Sequence, residues 1–188
     1  RFDLQIEEDL IEEVARVYGY DRIPELTATA VLPLAAVSEA SVGTARLADT
    51  LAARDYREVV TWSFIDAEAN ERFTGGASEL VLENPISSEL SVMRGSLWPG
   101  MLRVAAANVA RQQERVRLFE IGASYHGRLA EAREVQRLAG VALGPALPEQ
   151  WDASARPVDF FDIKSDIDAL LGLGGATADT RYEAAPNP

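Results

Sequence analysis

The residues best placed to do chemistry near the start of the chain are four carboxylates. Asp9, Glu12 and Glu13 fall at i, i+3 and i+4, which puts them on one face of a helix, and Asp3 comes from the segment just before. Oxygen donors grouped this way suit a hard cation such as Mg2+. They equally suit an acidic first turn facing solvent at the positive end of a helix, and spacing alone favours that second reading. The next concentration of functional groups lies between Asn84 and Tyr125, where a polar Ser-Ser-Glu loop leads to Arg94, then to a helix pattern with an arginine-rich end, then to the apolar run VRLFEIG. The single histidine, His126, follows at once.

Several chemistries are excluded. With no cysteine there is no disulfide, no thiolate metal site and no cysteine nucleophile, and one histidine cannot build a multi-histidine metal centre. No P-loop, dinucleotide fingerprint, GxSxG or HExxH occurs. Gly172–Gly175 reads GLGG, but it closes a helix pattern instead of opening one and so is no phosphate loop. The net charge of −12 argues against a broad nucleic-acid surface, and Lys164 is the one lysine. No apolar run approaches membrane-spanning length and no signal peptide is visible, so the expectation is a soluble, cytoplasmic protein. The chain lacks an initial Met and enters directly into a patterned segment at Arg1, which reads as a piece of something longer.

The elements that must carry these groups follow from periodicity. Arg1–Ile6 alternates enough for a short strand. Glu7–Tyr18 repeats Leu10, Ile11, Val14, Val17 and Tyr18 at helical spacing, with Gly19 as its stop and Pro24 beyond. Glu25–Ala40 is rich in Pro, Ala and Thr and reads as a linker. Val42–Arg54 predicts a helix whose small face, Ala45, Ala48, Leu51 and Ala52, would allow close approach of another helix. Arg57–Phe64 predicts a strand with Val60, Trp62 and Phe64 inward. A short helix from Asp66 to Gly75 and a strand over Glu79–Glu83 follow.

Pro99 fits the first turn of a helix with Ser96 as N-cap, and Met101, Leu102, Ala105, Asn108 and Val109 form its stripe. Val116–Ile121 is a strand that can continue to His126, and Val135–Gly144 is another. The last helix begins near Asp162 and ends at the glycines from Gly172. Strands joined by turns with helices inserted irregularly predict an α+β fold with a largely antiparallel sheet.

These motifs carry a resemblance. Leu47–Phe64 resembles motif 1 of class II aminoacyl-tRNA synthetases, a helix leading through a turn into a strand of type EVxTP, with Tyr56, Glu58, Val59 and Thr61 in place. Asp55 stands where Gly is usual, and Trp62 where Pro is usual. LFEIGASYHG resembles the first strand of motif 2, with Phe119, Glu120, Ile121 and Gly122 matching and His126 where an Arg is usual. No motif 3 is visible. Together RFDLQIEEDLIEEVARVYGYDRIP, REVVTWSF, NPISSELSVMRGSLWPGML, RLFEIG and FFDIKSDIDALL are similar to the β subunits of bacterial phenylalanyl-tRNA synthetases, in order and over most of the chain.

The resemblance implies that residues 1–24 are the end of a B5-like module, 25–40 a linker, and 41–188 a partial catalytic-like class II core that does no aminoacylation itself. It implies an α subunit that carries the active site, an (αβ)2 heterotetramer, and ATP used at α. It also implies Mg2+ near the α/β boundary, held by Asp, Asp, Glu and Glu at relative positions 0, +6, +9 and +10. Asp3, Asp9, Glu12 and Glu13 fit those positions. Transfer RNA would be met through the holoenzyme, with little contact from this piece. The missing motif 2 arginine implies that no catalytic residue lies here, because His is shorter and lacks the planar fork that clamps carboxylate and phosphate. The alternatives are a freestanding class II-like ATP-dependent ligase and a non-enzymatic interaction module. Arg94 reads as a helix-start salt bridge, Trp62, Trp98 and Trp151 as core or interface, and Arg111, Arg115 and Arg117 as surface or salt-bridge residues.

Overall fold

A computed structural model of the chain describes residues 3–27, 41–76, 80–152, 154–175 and 180–184. The chain divides into two compact units, Arg1–Val37 and Ser38–Pro188.

The first unit is built on helix α1, Glu7–Tyr18. Its three acidic residues in the first turn and Arg16 in the last complement the helix dipole. Gly19 ends it at φ 100°, a conformation that glycine reaches without steric cost. The strand expected over Arg1–Ile6 is corrected by the described residues, since 3–6 form a turn and irregular backbone. The physical reason lies in the hydrogen bonds. The Asp9 carboxylate accepts the N–H groups of Gln5 and Ile6, at 2.8 and 3.0 Å, so this segment caps the helix instead of pairing with a strand.

The second unit is α+β, as expected. Helix α2, Thr44–Ala52, leads to β1, Arg57–Glu58. Next come β2, Phe64–Ile65, and α3, Ala67–Thr74, which Asp66 caps by accepting Ala69 N–H. After β3, Val92–Met93, come α4, Trp98–Ala110, and the long strands β4, Val116–His126, and β5, Arg133–Leu143. Helix α5, Phe160–Gly172, closes the order. It starts two residues earlier than Asp162 because Asp159 and Asp162 form a reciprocal capping box there.

The main sheet has the order β1-β4-β5, with β4 central, and a second small sheet pairs β2 with β3. The β4–β5 ladder is antiparallel from Val116↔Leu143 to His126↔Arg133, while β1 runs parallel to β4. The sheet is therefore mixed, and its antiparallel ladder dominates.

Successive β4 side chains alternate between two cores. Val116 and Leu118 pack with Leu97, Met101 and Ala105 of α4 and its approach. Phe119 turns to the other face, against Leu51 and Tyr56, with Ala48, Ile121 and Leu170 beside them. Ala48 thus fills this chain's own core between α2, the sheet and α5, whereas Ala45 and Ala52 are exposed.

The segment expected as one strand, Arg57–Phe64, is two short strands with a break between them. Over Val59–Trp62 the inward phase is also the reverse of the expected one, while Phe64 is half-buried. Val59 packs on the core and Thr61 is half-buried, while Val60 is 89% exposed and Trp62 72%. The cause is the parallel partner: Val59 N–H donates to Phe119 O at 2.8 Å, and Thr61 is drawn onto Glu120. Trp151 is also exposed, so neither it nor Trp62 belongs to a core of this chain. No helix among the described residues is long and apolar enough to cross a membrane. The expected linker falls mostly on residues outside the described ones.

Candidate functional site

The sheet face that carries Val116 and Leu118 presents Glu120, Gly122, Ser124 and His126 toward the end of β4. Here the chain concentrates its buried polar chemistry. Glu120 and Arg94 are 2% and 4% exposed, and Arg94 Nη1 donates to Glu120 Oε1 at 2.7 Å. Other donors and acceptors of the pair are engaged as well. Arg94 Nε donates to Ala123 O at 2.8 Å, and Nη1 reaches Thr61 Oγ1 at 2.9 Å. The Thr61 hydroxyl in turn donates to Glu120 Oε2 at 2.7 Å, and its N–H to Oε1 at 3.3 Å. A buried ion pair is tolerable when its lone pairs and donors are matched in this way.

Local backbone fixes the geometry. Arg94 N–H donates to Ser63 O and its carbonyl accepts Tyr125 N–H, at 2.9 and 2.8 Å, which stitches the loop between β2 and the end of β4. Gly122 makes room for the guanidinium: a Cβ there would lie 2.5 Å from Arg94 Nη2 and 3.1 Å from Glu120 Oε1. The Phe-Glu-Ile-Gly run therefore encodes a carboxylate and, two residues on, the gap that admits its partner. Arg94 makes a salt bridge with a strand residue across the sheet face, not one at the start of α4. Gly95 N–H is held by the buried Asn70 carboxamide at 2.8 Å, so α3 also supports this loop.

His126 is half-buried at the end of β4. Its Nε2 lies 2.9 Å from the Oγ of Ser124, which is fully buried. Arg137, opposite Gly122 on the ladder, donates from Nε to the same hydroxyl at 3.4 Å.

On the opposite face Asp166 of α5 is 6% exposed and gathers three groups. Arg54 Nε donates at 2.5 Å, the Tyr56 hydroxyl at 2.6 Å and Arg117 Nη1 at 3.3 Å. Arg117 also lies over the Tyr56 ring, 5.3 Å from its centroid. Burial first, and then the Asp166 carboxylate, push the Tyr56 phenol well above the ordinary tyrosine range. Arg115 reaches Asp55, and Arg111 caps its own helix at Ala107 O. The arginines of this region hold the fold together.

The four N-terminal carboxylates are placed differently from one another. Asp9 is the helix cap described above, and those two N–H groups hold its pKa below the ordinary value. Glu13 accepts from Arg16 at 2.7 Å. Among the described residues, no three Asp, Glu or His side chains gather closely enough to hold a metal ion.

Sequence reasoning missed the Arg94–Glu120–Thr61 cluster. Its one signal was the wide spacing of an isolated Arg before Pro99 and a Glu inside an apolar strand, both of which demand a partner once buried.

Comparison with known proteins supplies the context. The family model described as the phenylalanyl tRNA synthetase beta chain CLM domain matches residues 23–188. The phenylalanine–tRNA ligase beta subunit of Pseudomonas syringae pv. syringae is 45% identical over 188 residues, which is 100% of this chain and 24% of that protein. The beta subunit of Methylococcus capsulatus is 47% identical over 178 residues, 95% of this chain and 22% of that protein. The chain thus spans about a quarter of the length of the curated relatives it matches. Among solved structures, a pyrrolysyl tRNA synthetase from Desulfitobacterium hafniense aligns with a TM-score of 0.48 and 20% identity, covering 69% of this chain and 44% of that one.

Proposed function

The chain belongs to the phenylalanyl-tRNA synthetase beta chain family, and on that premise we propose that it forms a non-catalytic class II-like core that scaffolds a catalytic α subunit. The activity served is ATP-dependent attachment of phenylalanine to its tRNA, with ATP bound at α, in an (αβ)2 assembly in the cytoplasm. The observation that supports this reading best is the Arg94–Glu120–Thr61 cluster. It fills the sheet face beside Gly122 with a matched ion pair, so the buried Arg94 guanidinium is committed to the fold and unavailable to a substrate. His126, at the position of the usual motif 2 arginine, offers no planar fork in exchange.

The scaffold reading needs a surface for α. Bulk at Ala48 would damage this chain's own core, so that position does not test it. Val60 and Trp62 lie outside the cores on the motif 1 segment, and an exposed tryptophan beside an exposed valine suits a desolvated anchor. Changing both to Asp should weaken association with α at least tenfold in sedimentation or surface-binding measurements, with the melting temperature of the β chain unchanged. Undiminished association and charging of tRNA would sink this placement, and saturable adenylate formation without α would sink the scaffold reading itself.

Magnesium at Asp3, Asp9, Glu12 and Glu13 belongs to the same proposal and rests on the family resemblance, whose ligand positions they fit. It requires the Asp9 and Glu13 carboxylates to leave Gln5, Ile6 and Arg16, so binding is expected to be weak and to compete with capping of α1. Calorimetric titration of Mg2+ into the assembled protein should show a site that Asp9→Asn abolishes. Equal uptake by both proteins would remove these residues as ligands.

A further inference from the structure

Beyond the scaffold role, we propose that the groove between the end of β4 and the start of α4 binds a carboxylate carried on a small apolar body. The inference is independent of how the chain meets α. The floor of the groove carries His126 and Arg137, and its walls include Phe73, Leu97 and Trp98.

Charge is the first argument. The chain carries 30 Asp and Glu against 18 Lys and Arg, yet among the described residues no acidic one lines this groove. Two other open clefts of this unit differ. The one between α3 and α4 sets Asp66 and Glu68 against Arg72 and Arg103, and the one beside Pro145 sets Glu114 and Asp152 against Arg115 and Arg156. On the sheet face under the groove the one carboxylate of β4 is Glu120, and Arg94 consumes it. Glu134 stands opposite Tyr125, and so belongs to the other face.

Unused donors are the second argument. Arg137 spends only Nε, in a 3.4 Å contact with Ser124 Oγ, and no carboxylate among the described residues pairs with its guanidinium. The buried Ser124 hydroxyl sits between His126 Nε2 at 2.9 Å and Arg137 Nε. It thereby positions the His126 imidazole and the Arg137 guanidinium from one anchored point, and its hydroxyl donates to Val135 O at 3.3 Å. The free edge of a guanidinium held by its Nε matches a carboxylate through two parallel bonds.

The walls decide what the carboxylate is attached to. Leu97 is buried, while Phe73 and Trp98 are 44% and 40% exposed and so keep apolar surface open to an occupant. An anion without an apolar part would leave that surface uncovered, and a neutral apolar molecule would leave Arg137 unmatched.

Because His126 is the only histidine, its imidazole resonances report on the site without ambiguity. The 188-residue chain is titrated with 3-phenylpropionate, with inorganic phosphate, and with 3-phenylpropanol as the neutral isostere. The expected result is a saturable shift of the His126 signals with 3-phenylpropionate. Affinity for the alcohol and for phosphate should each be at least tenfold weaker, and Arg137→Gln should weaken 3-phenylpropionate tenfold or more. Arg137 is exposed, so this variant is expected to fold, which an unchanged melting temperature checks. Absence of saturation, equal affinity for the alcohol or for phosphate, or undiminished binding by Arg137→Gln would each overturn the proposal.

Discussion

Replacing Arg94 with Met should destabilise the Ser38–Pro188 unit by about 3–5 kcal/mol in urea unfolding, because Glu120 would be left as a buried carboxylate without its cation. The size of the effect does not measure how much the pair adds to stability. Desolvating both charges offsets most of their attraction, so removing the two together should cost far less than removing one. The double variant Arg94→Met with Glu120→Leu is therefore expected to recover most of the loss, although Thr61 then loses its acceptor. Gly122→Ala adds a steric counterpart, since the new methyl group would collide with the Arg94 guanidinium. A single Arg94→Met variant within about 1 kcal/mol of the parent would show that water or a rearranged donor serves Glu120, and would end the claim that this cluster is closed.

The helices and the two long strands were legible because their signals are local. Leu10, Ile11 and Val14 repeat at helical spacing and Gly19 stops the run, so α1 falls on its expected residues. The run from Val116 through Ile121 identified β4, and the register with β5 carried it on through Gly122 to His126. What failed depended on partners distant in the chain. Val60 and Trp62 look inward by hydrophobicity, but main-chain pairing of Val59 with Phe119, 60 residues away in sequence, sets the phase and turns them out. Arg94 and Glu120 are 26 residues apart and meet only because the loop at Arg94 is bonded to both Ser63 and Tyr125. The Asp9 carboxylate illustrates a different limit. Its spacing from Glu12 and Glu13 is the same for a cap and for a ligand, and only the N–H groups of Gln5 and Ile6 reveal the first use.

The second large effect is expected at Asp166. Asp166→Ala leaves Nη1 of Arg117, 8% exposed, and the buried Tyr56 hydroxyl without the carboxylate that accepts from them, at a cost of about 3–5 kcal/mol. Asp166→Asn keeps an acceptor oxygen but loses the charge, and should cost about 1.5–3 kcal/mol. The loss has a location. Asp166 ties α5 to Arg54 and Tyr56, the residues that follow α2, so amide exchange should accelerate first in α5 and leave the β4–β5 ladder protected. The same contact gives the chain an alkaline limit. The folded phenol of Tyr56 is raised above its unfolded value of about 10, so the folded state holds its proton longer. Its contribution is fully present below pH of about 10 and is lost as pH rises from there through the folded value. Tyr56→Phe should lower stability at neutral pH by about 1–2 kcal/mol, the loss of one hydrogen bond to a charged group, and flatten the decline above pH of about 10. A decline of unchanged slope in Tyr56→Phe would assign the alkaline limit to another group, and uniform exchange across α5 and β4 in Asp166→Ala would show that α5 does not open separately from the sheet.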